Sequence, residues 1–219
     1  MEGAKNVLEV IQSDWKVRLL LATDDFVNEN KSDLSGDFKV EQVKPKELEG
    51  IGSFQSNDSA IAVLEFRDHK IAIDEKEFIL AYDEIKDPGN LGTIIRIADW
   101  YGLKQIICSE NSVDMYNPKV INSSMGSFLR VNVIQANLKS FLEETKAPVY
   151  GFYLEGDNIH ELTKLEPGIL LFGNESKGID GGYDNLIRRK LSIPKFGGAE
   201  SLNVAVSTAV ATDNLMRLK

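Results

Sequence analysis

Residues 78–100 read FILAYDEIKDPGNLGTIIRIADW. The first five are apolar in a row, Phe78 to Tyr82, which suits a strand buried on both faces. Residues 92–100 carry a helical pattern. Between the two, Asp87-Pro88-Gly89-Asn90 is polar and turn-forming, so the stretch reads as strand, turn and helix. Asn90 is placed to cap the helix by taking one of its orphan backbone N–H groups. Arg96 follows in the second turn. Alone, the stretch needs no function: a capped helix with one arginine reaching into solvent satisfies it.

The same alternation continues downstream. Apolar runs at 105–108, 131–134, 149–154, 169–172 and 191–193 are separated by helical patterns, notably 138–145 and 201–218. Strands alternating with helices imply an α/β fold with a mainly parallel sheet covered on both faces. Such sheets place ligands at the carboxyl ends of their strands. Upstream, 67–77 is a charged linker carrying Arg67, Asp68, His69, Lys70, Asp74, Glu75, Lys76 and Glu77. Residues 1–66 form a separate, smaller α/β domain. Val7, Leu8, Val10 and Ile11 make a helical stripe, and 17–22 (VRLLLA) suits a buried strand. Asp24 and Asp25 open a short helix, where acid favours the dipole. A strand at 38–43, a helix opened by Pro45 and a strand at 60–66 complete the set. The chain shows no internal repeat at solenoid periods.

Two further strand ends turn polar and glycine-rich. Residues 170–179 read LLFGNESKGI, an apolar strand that stops at Gly173, where backbone can approach a ligand closely. Glu175 lies just beyond, where an acid can orient a substrate group. A phosphate loop is excluded, because Gly178 is followed by Ile179 and not by Lys-Ser/Thr. Residues 193–207 read IPKFGGAESLNVAVS. Here Ser201 is placed to cap the last helix. That helix is apolar nearly all round, so it is expected to be buried. Asn203, a polar residue in its first turn, requires a hydrogen-bonded partner.

Composition bounds the rest. The chain has 219 residues, 42% apolar and 27% charged, which excludes a disordered or fibrous chain. Its net charge is −9, with acid in excess in both the first 70 residues and the remainder. That counts against a general nucleic-acid coat, since phosphate neutralisation needs a basic footprint, yet an enzyme with one local basic face stays open. No apolar run approaches the length of a membrane span, and the first residues do not form a signal-peptide core, so a cytosolic protein is expected. One cysteine and two histidines leave no cluster for zinc.

Taken together, Asn90-x-Gly92-x-x-x-Arg96, Gly173-Asn174-Glu175-x-x-Gly178 and Ser201-Leu202-Asn203-Val204 resemble the SpoU (TrmH) branch of the SPOUT methyltransferases. The resemblance covers about residues 78–218 and extends weakly to Glu2-Gly3-x-x-Asn6-Val7-x-Glu9, which is similar to the opening of the small substrate-binding domain of many members. Members usually start that domain some residues earlier, so this N-terminus reads as clipped. The resemblance implies a sheet with a C-terminal trefoil knot, S-adenosylmethionine as cofactor, and methyl transfer to a ribose 2′-oxygen of rRNA or tRNA. It further implies a homodimer and no metal. Carried over residue by residue, Asn90, Arg96, Glu175, Ser201 and Asn203 are the catalytic positions. Leu171, Phe172, Gly173, Asn174, Ile193, Ser201 and Leu202 would hold the cofactor. The small N-terminal domain favours rRNA over tRNA. A non-catalytic RNA- or cofactor-binding relative is the rival reading.

Weaker features complete the list. Arg188-Arg189-Lys190 is the one basic triplet and reads as a solvated helix end or an RNA contact; Arg130 and Lys195 are single-charge RNA candidates. His69 and His160 are expected at the surface and Cys108 within a strand. No Gly-x-Ser-x-Gly elbow exists for a serine hydrolase. The last helix is expected to be too apolar for a monomer surface, which supports the dimer.

Overall fold

Thr23 follows a strand rich in apolar residues, and its hydroxyl accepts the Phe26 N–H, capping the helix that starts there. The computed structural model describes residues 1–52, 57–68, 70–74 and 76–218. The chain divides into two units, Met1–Asp68 and His69–Lys219. Of the expected linker, His69 and Glu75 lie outside the described residues.

In the first unit β1 (Val17–Ala22) is central. Parallel β2 (Lys39–Gln42) lies on one side and antiparallel β3 (Ala60–Leu64) on the other. Helices α1 (Ala4–Ile11), α2 (Asp24–Glu29) and α3 (Pro45–Ile51) contribute Val7, Val10, Phe26 and Leu48 to a core with Leu20. The Met1 ammonium donates to the Ala62 carbonyl at 2.9 Å, and Glu2 bridges to Ile61, so the first residues are laid along β3.

The second unit has one six-stranded sheet, every pairing parallel, in the order β6-β5-β4-β8-β7-β9. Its strands are β4 (Ile79–Tyr82), β5 (Gln105–Ser109), β6 (Asn132–Ala136), β7 (Val149–Asn158), β8 (Ile169–Phe172) and β9 (Arg189–Ser192). Its helices are α4 (Pro88–Trp100), α5 (Pro118–Ser124), α6 (Leu138–Glu144) and α7 (Val204–Met216). Side chains alternate across the sheet. Ile79, Ala81, Ile107, Ile134, Ile169 and Leu171 face α6 through Leu138, Phe141 and Leu142. The alternate residue Tyr82 faces the other way, where its hydroxyl meets Thr208 of α7 at 2.8 Å. Thr208 already donates to the Val204 carbonyl, so Tyr82 is the donor. Phe172 stacks between Tyr82 and Phe152, with centroids 5.4 and 4.5 Å away.

Four local expectations are corrected. Asp87 caps α4, with its carboxylate accepting the Asn90 N–H at 2.9 Å; Pro88 holds the first helical position, where its missing N–H is harmless. Asn203, not Ser201, caps α7, taking the N–H groups of Ala205 and Val206. Arg188-Arg189-Lys190 leads into a strand, not out of a helix, because β9 pairs Arg189 with Tyr150 of β7. Finally, α7 buries most of its apolar surface within its own chain: Val204, Ala205, Ala211 and Leu215 are buried, and Val206 is the large apolar side chain it leaves exposed.

Candidate active site at three strand ends

The three polar strand ends converge. β4 runs into α4, which carries Asn90; β8 ends in the turn that carries Glu175; and the segment after β9 delivers Asn203. Asn203 Oδ1 is occupied by the two amides at the start of α7, so its Nδ2 must be the group that points outward. That Nδ2 donates to Asn90 Oδ1 at 2.9 Å, and Asn90 Nδ2 donates in turn to Glu175 Oε1 at 2.9 Å. The result is a one-way chain of hydrogen bonds from a helix N-terminus to a carboxylate. It joins residues up to 113 positions apart in sequence.

The turn that carries Glu175 is closed on itself. Asn174 and Gly178 exchange backbone hydrogen bonds of 2.9 Å, with Gly178 at φ +72°, and Asn174 Oδ1 accepts the Ser176 and Lys177 N–H groups. A Cβ on Gly173 would lie 2.0 Å from the Gly178 carbonyl carbon. Gly173 is therefore required first by the protein's own backbone. The same holds for Gly92 of the first motif, whose Cβ would lie 2.4 Å from Ser123 Cβ on α5. Asn174 Nδ2 donates to the Glu84 carbonyl at 2.9 Å, anchoring the turn to the end of β4.

Of the other expected residues, Arg96 is exposed on α4 and, among the described residues, pairs with no acid. Ser201 and Leu202 are exposed on the segment before α7, and Lys195 is exposed on it too. Leu171 and Phe172 are buried, so only their backbone can meet a ligand. The Phe172 carbonyl is already taken by the Asp83 N–H at 2.9 Å. The remaining basic candidates are neutralised locally. Arg130 grips both carboxylate oxygens of Asp99, Arg188 pairs with Glu166 at 3.1 Å, Arg189 with Asp157, and Lys190 with Asp184 at 2.8 Å. Cys108 is buried, and burial pushes its thiol up to about 12, so it is inert. His160 is exposed, as expected.

Sequence reasoning missed a second group at the same sheet edge. Asp83 and Glu84 follow β4, Glu110 and Asn111 follow β5, and Asn137 and Lys139 follow β6. They obey the same rule, polar residues directly after an apolar strand, that singled out the three motifs.

Comparison with known proteins agrees with the geometry. The model of the SpoU rRNA Methylase family matches residues 77–213. The chain belongs to that family. A 23S rRNA (guanosine(2553)-2′-O)-methyltransferase of Bacillus subtilis is 32% identical over 98% of this chain and 87% of its own length. A 23S rRNA (uridine(2479)-2′-O)-methyltransferase of Streptomyces viridochromogenes is 30% identical over 64% of this chain, which spans only 53% of that protein. Among solved structures, a TrmH-family protein from Porphyromonas gingivalis matches with a TM-score of 0.89 at 30% identity, covering 100% of this chain and 89% of its own. An AdoMet-bound rRNA methyltransferase from Sinorhizobium meliloti matches at 0.88 and 27% identity, covering 99% and 86%. The SpoU sheet is thus the parallel α/β sheet described above. No helix among the described residues is long and apolar enough to cross a membrane.

Proposed function

We propose that this SpoU-family chain transfers a methyl group from S-adenosylmethionine to a ribose 2′-oxygen of RNA, ribosomal RNA before transfer RNA. The observation that carries the reading is the Asn203–Asn90–Glu175 chain, because it draws three separate strand ends onto one point. The preference for ribosomal RNA rests on the whole-length similarity to a 23S rRNA enzyme.

The residues present fit the cofactor. Among the described residues, the backbone of 194–202 makes no hydrogen bond within the chain, so its N–H and C=O groups are open to an adenine or a ribose. The exposed Phe196 and Leu202 supply apolar surface on the same segment. Ile193, Gly173, Ser201 and Leu202 are the positions we assign to holding it, with the backbone of Leu171, Phe172 and Asn174 behind them. When bound, the cofactor supplies a methyl group made electrophilic by its sulfonium, so the transfer needs no metal.

The protein's part is to aim and to stabilise. Asn90, fixed at both ends of its amide, and Glu175 orient the ribose hydroxyl; alignment of this kind supplies much of a barrier reduction. Arg96 carries a guanidinium, a group that holds its proton throughout in proteins and is therefore a poor base. Its role is to clamp the adjoining phosphate and the developing alkoxide. Among the described residues, the RNA candidate Lys195 has no ion-pair partner and can meet phosphate, whereas Arg130, Arg188 and Arg189 must first leave their carboxylates. The unit of residues 1–68 is assigned to binding RNA. A homodimer, and a knot formed where the segment before α7 passes the end of β8, complete the reading.

Arg96→Lys tests it. Lysine keeps the charge but loses the planar fork. Turnover on the RNA found by mapping 2′-O-methyl sites with and without the gene should fall about 10²-fold or more, as loss of one transition-state donor does. Cofactor affinity by calorimetry should be unchanged. A lysine variant with normal turnover removes the clamp, and absence of the cofactor from the wild-type protein removes the reading.

A further inference from the structure

The missed group lines a cleft of about 470 Å³ on the α6 side of the sheet edge. That volume lies within the range of small-ligand sites. Asp83, Glu84, Glu110 and Asp180 bring four carboxylates to it, against the two ammonium groups of Lys139 and Lys177 and the amide of Asn111. Glu110, Asn111, Lys139 and Lys177 are exposed, so their polar ends are available. The apolar part is Leu138 and Ile179, with the half-buried ring of Tyr183 beside them.

Its construction is unusual at one residue. Glu84 has φ +56°, a left-handed backbone that a non-glycine residue adopts only when its surroundings hold it. Two bonds hold it: its N–H donates to Ser109 Oγ at 2.8 Å, and its carbonyl accepts from Asn174. Buried Asp83, next to it, accepts the Asp180 N–H at 3.1 Å. Burial and the neighbouring Asp83 and Asp180 charges push the Tyr183 hydroxyl up to about 12, so it stays protonated as a donor. The cleft and the Asn90–Glu175 contact are two sides of one turn, since Asn174 lines the cleft and Glu175 follows it.

We propose that this cleft receives a purine base of the substrate RNA, and that its chemistry selects guanine. The inference rests on the methyltransferase reading. A carboxylate accepts from the adjacent N1–H and N2–H groups of guanine, while a lysine donates to O6; adenine offers no such N–H beside a carbonyl, and cytosine no ring N–H. The Tyr183 ring, packed against the core and lining the cleft, is the aromatic side chain beside which a base would lie, a contact that RNA-binding sites use widely. The acidic lining sets the site apart from a phosphate pocket, which needs net positive charge.

The test uses the full chain, labelled for amide NMR and titrated with guanosine 5′-monophosphate, cytidine 5′-monophosphate and ribose 5-phosphate. The expected result is saturable shifts at Asn111, Lys139 and Lys177 with the guanine nucleotide at a dissociation constant of about 1 mM. Cytidine monophosphate should bind clearly more weakly, and ribose 5-phosphate should leave these signals in place. Glu110→Gln and Glu84→Gln should each weaken the guanine nucleotide about tenfold, the scale of one bidentate base contact. Equal shifts with ribose 5-phosphate, equal affinity for both bases, or no shift at all would overturn the proposal. S-adenosylmethionine binding to the wild-type protein is measured alongside. If the cofactor binds and the nucleotide does not, only the cleft proposal fails; if the cofactor does not bind, the methyltransferase reading fails and the nucleotide result stands by itself.

Discussion

Asn90 has no choice about which end of its amide faces Glu175. Asn203 Oδ1 is spent on the start of α7, which leaves its NH₂ for Asn90, and Asn90 must then present its own NH₂ to the carboxylate. Asn90→Asp breaks this order twice, by removing the donor to Glu175 and by setting a second carboxylate 2.9 Å from the first. Turnover should fall about 10²-fold, the usual consequence of a misaligned positioning group. Because the site is not in the core, the thermal midpoint should stay near that of the wild type. Normal turnover in this variant would show that the relay does not position anything. The residue types that the hydrogen-bond chain joins were legible in the sequence, since Asn90, Glu175 and Asn203 stand in a recognisable order. Their partners were not legible. Asp87 and Asn90 are both good caps by type, and only the start of the helix at Pro88 decides between them.

At the scale of elements, α4 and α7 carry the consequences. Gly92 lets α4 lie against α5, and no local signal in the sequence distinguishes that use from an approach to a ligand. The hydroxyl of Thr212 on α7 is buried without a hydrogen-bond partner among the described residues. A buried unpartnered hydroxyl costs about 1–3 kcal/mol, and an apolar replacement of the same shape recovers part of it. Thr212→Val should therefore raise the urea midpoint, and a lowered midpoint would mean that the hydroxyl is satisfied in solution. The C-terminal end of α4 is tied by Asp99 to Arg130, which is why Arg130 is a poor RNA candidate. Burial alone would raise the Asp99 carboxyl, but hydrogen bonds from Arg130 and Ser127 and the charge of Arg130 outweigh it and hold the group below its ordinary value. A carboxyl lowered on folding stabilises above its unfolded value of about 3.9, and that contribution is lost as pH falls through the folded value. Arg130→Ala should thus lower stability at pH 7 by less than about 1 kcal/mol, since the pair is partly exposed. The difference from wild type should shrink as pH falls below the unfolded value and vanish once pH lies below the lowered folded value of Asp99. A difference that persists in acid would assign Arg130 a packing role instead.

At the scale of the molecule, the alternation of apolar strands and helices made a parallel sheet legible, but not its order. β8 lies between β4 and β7, and six short apolar strands contain nothing local that ranks their neighbours. Because α7 buries most of its apolar surface internally, the apolar surface left for a dimer contact is what α4 and α7 leave outside: Trp100 is 84% exposed and Val206 49%. A tryptophan so exposed on a regular helix is suited to an isologous contact, the commonest closed pairing. Arg96 and Trp100 are four residues apart, hence on one face of α4. Any partner that covers Trp100 must stand beside the arginine. The expected species in sedimentation at micromolar concentration is a dimer of 24.4 kDa chains. Trp100→Glu should convert it to a monomer and reduce turnover together, since Arg96 would lose the surface that completes its site. A wild-type monomer removes the dimer. A Trp100→Glu monomer with full turnover would show that each chain holds a complete active site.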